Sequence, residues 1–193
     1  MWLSVVRASP PRADLLTDSE RDHLDRLRHR GSRRDEWIAG RLAARRVLAR
    51  RLGAAAQHLD VLSDEDGAPR VTGGAVPLAI SLSHDGGRVA VALAPGGVRL
   101  AVDVCDRAHA GRLPAILRRL GVTGAHRDPC ALWAAIECAL KLRRRAVTAL
   151  LGAPLKIAAA GAHQVRVSGL GADAVCQVVS RADHALAWAE EAA

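Results

Sequence analysis

Apolar residues recur at helical spacing in two long stretches of the chain. Over residues 35–52, Trp37, Ile38, Leu42, Val47 and Leu48 line one side, and Gly53 follows as a stop signal. The second stretch predicts a helix over residues 130–151. Asp128-Pro129 supplies an N-cap and an N1 proline, and no glycine interrupts until Gly152. Trp133, Glu137 and Lys141 recur there every four residues and so share a face. Alone, Glu137/Lys141 reads as a surface ion pair worth about 0.2–0.5 kcal/mol. An earlier helix, from Thr17 to about His29, is announced by the capping box Thr17-Asp18-Ser19-Glu20. Its apolar positions, Leu24 and Leu27, are few, which predicts a surface helix ended by Gly31-Ser32. Residues 107–120 are loosely helical, with Pro114 inside them.

Strand-like runs fill most of the remainder. Residues 2–7 read as a first strand closed by Pro10-Pro11, and residues 59–63 as another, followed by the turn Asp64-Glu65-Asp66-Gly67. Residues 78–83, 88–94 and 98–104 are separated by Asp85-Gly86-Gly87 and Pro95-Gly96-Gly97, which predicts an antiparallel meander. In such a meander His84 and Asp103 fall near strand ends that can meet on one rim. Residues 163–167, 174–179 and 185–188 predict three further strands.

Helix followed by three strands therefore occurs twice, roughly over residues 35–104 and 130–189. The pattern predicts an α+β protein built as a pseudo-twofold pair of similar halves, each a helix packed on a small antiparallel sheet. Residues 1–106 form the N-terminal half and residues 107–193 the C-terminal half of one globular unit. A site is expected in the cleft between such halves.

Composition narrows the function. The chain has 193 residues, half of them apolar, enough for a sizeable core. No apolar run reaches the length of a membrane span and no signal-peptide layout opens the chain, so a cytoplasmic address is expected. Cys105, Cys130, Cys138 and Cys176 are widely spaced without a C-x-x-C, so reduced thiols are expected. The net charge of +8 points to an anionic partner, and Lys141 and Lys156 are the only lysines. With no Phe or Tyr the chain lacks stacking platforms, which disfavours nucleic acid. Arg33 and Arg41, near a helix start, suit a phosphate or a solvated face alike.

Taken in order, several motifs resemble the larger, two-lobed 4′-phosphopantetheinyl transferases that act on carrier proteins. Residues 33–41, Arg-Arg-Asp-Glu-Trp-Ile-Ala-Gly-Arg, are similar to the family's basic helix and "AGR" segment, and Gly67-Ala68-Pro69 to its "GKP"-type turn. Ser81-Leu82-Ser83-His84 resembles "LSHS". Ala101-Val102-Asp103-Val104-Cys105 stands where the family has "GIDIE", and residues 133–141 where it has "WxxKExxxK". The resemblance implies coenzyme A as co-substrate, Mg2+ as cofactor and transfer of phosphopantetheine to a serine of an acyl or peptidyl carrier protein. Such proteins serve fatty-acid, polyketide or nonribosomal-peptide assembly in natural-product biosynthesis.

Carried over by position, the resemblance makes Asp103 and Glu137 the metal ligands and Glu137 also the general base. Lys141 binds the pyrophosphate or the charge developing on the leaving group. Ser83 and His84 hold the 3′-phosphate region, and Arg33 and Arg41 act as further phosphate clamps. A monomer is expected, without membrane or nucleic-acid partners. The chain departs from the family at Cys105, which replaces a second acidic ligand beside Asp106, and at Ile136, which replaces a lysine. No lysine accompanies Gly67-Ala68-Pro69, and residues 107–129 are short and lack an aromatic pair. These departures define an alternative: a repurposed or catalytically degenerate relative that binds a carrier protein or its tethered intermediate. In that reading Cys105 is a reactive thiol beside Ile136.

Overall fold

Each of the two long helices expected from the sequence packs against an antiparallel sheet of its own. The computed structural model describes residues 1–27, 30–122, 128–151 and 155–192. The expected helix end at His29 and the glycine signal at Gly152 lie outside those residues. The architecture is mixed α+β, dividing into two compact units, Met1–Val98 together with Ala192, and Arg99–Glu191.

In the first unit, β1 (Trp2–Arg7), β5 (Arg88–Pro95) and β4 (Leu78–Asp85) form an antiparallel sheet in that order. The central strand β5 is buried from Val89 to Ala94, as a strand covered on both faces must be. β4 pairs to β5 through Asp85↔Arg88, leaving Gly86-Gly87 as the loop. Their φ values of 54° and 72° are what a two-residue turn with both centres left-handed needs, and glycine alone supplies them without strain. Helix α2 (Ser32–Leu52) lies on this sheet, burying Ala43, Val47 and Leu48 with Val89, Val91 and Leu93.

Helix α1 (Asp18–Leu27) opens with the expected capping box: Thr17 Oγ1 accepts from the Glu20 N–H at 3.1 Å, and Glu20 Oε2 accepts from the Thr17 N–H at 3.1 Å. The helix does not simply ride on the surface. Leu24 joins Trp37, Ile38 and Leu42 in a small core, and Glu20 is fully buried. The cause is the short hairpin of β2 (Asp60–Ser63) and β3 (Pro69–Thr72), whose β2 has a strand on one side only. Glu20 Oε1 accepts from the Val61 N–H at 2.9 Å, and Arg41 Nε donates to the Val61 carbonyl at 3.0 Å. Arg45 donates to the Leu59 carbonyl at 2.9 Å, and His23 Nε2 accepts from the Ser63 N–H at 3.3 Å. Side chains of α1 and α2 thus satisfy an edge that would otherwise carry unpaired backbone groups.

The second unit corrects the expected meander. The third strand, β6 (Val98–Asp106), does not pair with β5 but joins a five-stranded sheet in the order β6, β10 (His184–Ala192), β9 (Ala174–Ser180), β8 (Gln164–Ser168), β7 (Lys156–Gly161). Gly96 donates its N–H to the Pro77 carbonyl at 2.7 Å, and a Cβ there would stand 2.5 Å from the Pro77 Cβ. Gly96 thus extends the β4–β5 pairing by one rung beyond Leu78↔Pro95 before the chain passes into another sheet, so His84 and Asp103 do not share a meander. The strand β7 was not expected, because its Ala-rich, largely exposed residues carry little apolar pattern.

A short α3 (Leu113–Arg119) carries Pro114 in its first turn, where proline is tolerated. Helix α4 (Pro129–Leu142) packs on β9 and β8. Asp128 caps it as expected, accepting from the N–H groups of Cys130 and Ala131. The helix stops at Leu142 instead of running to Leu151. Arg144, with φ 50°, takes the left-handed position usually filled by glycine. The Arg145 N–H reaches the Leu140 carbonyl and the Arg144 N–H that of Lys141, closing a Schellman motif. Arg143 holds this end by bonding Glu191 and the carbonyls of Ala172 and Asp173.

Candidate active site

Helix α4 is buried almost all round, and the residues that escape full burial beyond its first turn are Trp133, Glu137 and Lys141. They form the stripe expected from four-residue spacing. Beneath it runs β6, whose Ala101–Cys105 segment is buried and includes Asp103. Lys141 Nζ donates to Asp103 Oδ1 at 2.7 Å and to the Val102 carbonyl at 3.1 Å. The Asp103 side chain is 8% exposed and that of Lys141 33%. Burial pushes the Glu137 carboxyl above its ordinary range; Asp103 adds to the rise and Lys141 opposes it. The structure thus joins Asp103 and Lys141, 38 positions apart, in an ion pair, and Glu137 feels the charge of both.

Cys105 is not part of that group. It is 1% exposed within the core, its Sγ 3.7 Å from the Asp106 carbonyl oxygen. A thiol so enclosed is inert, so a reactive Cys105 has no access to a substrate. Ile136 is likewise fully buried in the same core, and a lysine there would need to bury its charge. The Asp106 carboxylate caps the short 3₁₀ turn Arg107–His109 by accepting from the Ala108 N–H at 2.8 Å. Among the described residues no group of three or more His, Cys, Asp or Glu side chains could hold a metal.

The remaining candidates lie in the first unit. Arg33 is exposed in the first turn of α2. Arg41, eight residues on, is about 12 Å further along the axis and 6% exposed. Besides Val61 it donates to the Leu62 carbonyl at 3.2 Å and to Ser63 Oγ at 2.6 Å, and it lies 4.2 Å from the Trp37 ring centre. Burial lowers its pKa to about 10, Glu20 partly offsetting the loss, so it stays charged at neutral pH. Ser83 is buried near the end of β4. His84 beside it is exposed, with Nδ1 3.9 Å from Glu36 Oε2 of α2.

Two groupings were not legible beforehand. Glu36 stands beside His84, and nothing in their spacing signals it. Asp128, visible only as a cap, also accepts from Arg107 and from Ser180 Oγ, tying α4 to β9 and to the turn after β6.

Residues 28–94, about a third of the chain, match the family model of the 4′-phosphopantetheinyl transferase N-terminal domain. The mixed α+β architecture with small antiparallel sheets agrees with the fold of that family. The match supports membership of the phosphopantetheinyl transferase superfamily. It includes Arg33, Arg41, Ser83 and His84 and ends before Asp103, Glu137 and Lys141. No curated protein matches the chain. No helix among the described residues is long and apolar enough to cross a membrane.

Proposed function

We propose that this protein transfers 4′-phosphopantetheine from coenzyme A to a serine of an acyl or peptidyl carrier protein, with Mg2+ as cofactor. The observation that carries the reading is the coupled group Asp103, Glu137 and Lys141, in a chain whose residues 28–94 match that transferase family. The donor set fits the ion. Magnesium is commonly held by one or two carboxylates, with water and substrate phosphate oxygens completing its shell, and does not need a cage of protein ligands. Asp103 and Glu137 would hold it. The bound ion would supply charge neutralisation at the pyrophosphate.

Glu137 accepts the proton from the carrier serine hydroxyl as its oxygen forms the new bond to phosphorus. The bond from that phosphorus to the departing 3′,5′-ADP oxygen breaks, and Lys141 stabilises the charge that develops there. A carboxylate lifted above its ordinary pKa range is a stronger base than a solvated one. Arg33, Ser83 and His84 supply donors for the coenzyme's 3′-phosphate. Arg41 acts at one remove, by fixing β2 and α2, because its donors are directed to β2.

Intact-mass analysis of an apo carrier protein incubated with coenzyme A and Mg2+ tests the reading. The expected result is a gain of one phosphopantetheine that a chelator prevents. Glu137→Gln should lower the rate by about 10²–10⁴. No gain across several carrier proteins, or undiminished turnover by the variant, overturns the assignment.

A further inference from the structure

Lys141 is poised against a partner other than the phosphate proposed for it. Its ammonium donates to Asp103 Oδ1 at 2.7 Å and, at 3.1 Å, to the carbonyl of Val102, the residue just before that aspartate. Asp103 is the most buried acidic member of the group, and its lone pairs are those a cation would use. A positive charge held there opposes a second cation twice over, by repulsion and by taking up a ligand site. Lys141 also has the means to leave. Its flexible four-carbon stem and one-third exposure let the ammonium swing toward solvent without moving α4.

We propose that Lys141 is an internal counter-ion that suppresses metal binding at Asp103 until coenzyme A arrives, so that metal and coenzyme bind as a coupled pair. The pyrophosphate draws the ammonium from Asp103, freeing the carboxylate as the anion brings the charge that a divalent ion answers. The arrangement keeps Asp103 neutralised in the resting protein. It predicts reciprocity: metal tightens coenzyme binding by the same factor as coenzyme tightens metal binding. The inference rests on the transferase reading above and adds an order of events to it.

Titration with Mn2+, followed through the signal of the free ion, provides the test, with correction for metal taken up by coenzyme A in buffer. Wild-type protein should bind Mn2+ weakly alone and at least about tenfold more tightly with coenzyme A. Lys141→Met should bind Mn2+ alone about tenfold more tightly than wild type, and the enhancement by coenzyme should shrink. Lys141→Gln, which retains a donor for the Val102 carbonyl, should behave alike and guards against misfolding of the first variant; thermal melts identify any that fail to fold. If both folded variants bind Mn2+ alone no better than wild type while coenzyme still enhances binding in all three, the counter-ion idea is wrong and the transferase reading stands. If no form binds Mn2+ with or without coenzyme A, both are wrong.

Discussion

Each unit buries a small set of opposite charges against a strand, and the two sets are satisfied in different ways. In the first unit Glu20, Arg41 and Arg45 are answered by backbone: the Val61 N–H and the carbonyls of Leu59, Val61 and Leu62. The excess positive charge is spread over carbonyl dipoles, and the group replaces a missing strand. In the second unit Lys141 donates to Asp103, while burial, and after it Asp103, pushes the Glu137 carboxyl up against the opposing pull of Lys141. Within this trio one negative charge is left in excess. A set closed on backbone groups has little left for a ligand, whereas one that strains its own carboxylates has something to gain from a cation. Burial of charge alone does not distinguish structure from function; the destination of the donors does.

The largest way to break this comparison is to cut the same kind of bond in both units. Arg41→Ala removes the donors serving Val61, Leu62 and Ser63, the stacking on Trp37 and a counter-charge to Glu20. We expect a loss of about 3–4 kcal/mol in urea unfolding. Arg41→Lys should recover little, since an ammonium cannot reproduce the fork. Lys141→Met takes the ammonium from a buried Asp103 but removes a partner that is itself one-third exposed, and should cost less, about 1–2 kcal/mol. Equal losses from the two would erase the distinction.

Asp128 offers an intermediate effect within the second unit. Burial alone would raise its pKa, but hydrogen bonds from Arg107, Ser180 and the Ala131 N–H prevail and bring it to about 2. A carboxylate depressed in the folded state adds stability above its ordinary value of 3.8, and that stability is lost as pH falls through about 2. Asp128→Ala should cost about 2 kcal/mol at neutral pH, from a lost cap and an unpaired Arg107. Its stability curve should also be flatter than wild type between pH 4 and 2. A parallel acid limb would show that the ion pair contributes nothing.

What was legible in the sequence was local. The Thr17/Glu20 capping box, the Asp128 cap, the Gly86-Gly87 turn and the stripe of Trp133, Glu137 and Lys141 all depend on residues a few positions apart. The misreadings share a different cause. Pro95-Gly96-Gly97 has the composition of a hairpin, but Gly96 still pairs with Pro77 beyond the end of β4, and the strand that follows joins another sheet. Glu20 looks like a surface capping residue because its Val61 partner lies 41 positions away. The helix end at Leu142 hides in a run of arginines, since Arg144 takes a conformation normally signalled by glycine. Asp103 and Lys141 were singled out through a resemblance to known sequences; their hydrogen bond spans 38 positions and follows from no spacing rule.

The smallest expected change is also the one that separates strain from function most cleanly. Glu137 has its carboxyl raised by burial and by Asp103, so its ionised form destabilises the metal-free fold. A raised carboxylate imposes no penalty while protonated in both states. The penalty develops as pH rises through the raised value and is complete above it. Glu137→Gln, close in shape and always neutral, should therefore leave stability unchanged at acid pH and raise it slightly once pH exceeds the raised value. The same variant should transfer about 10²–10⁴ times more slowly. Saturating Mg2+ with coenzyme A should stabilise wild type and reverse the order, because a bound cation favours the ionised carboxylate that glutamine lacks. Thermal melts of both proteins across pH, with and without the ligands, check each step. A variant less stable than wild type at every pH would mean that Glu137 is held by favourable contacts, and that the second unit's charges are as settled as the first's.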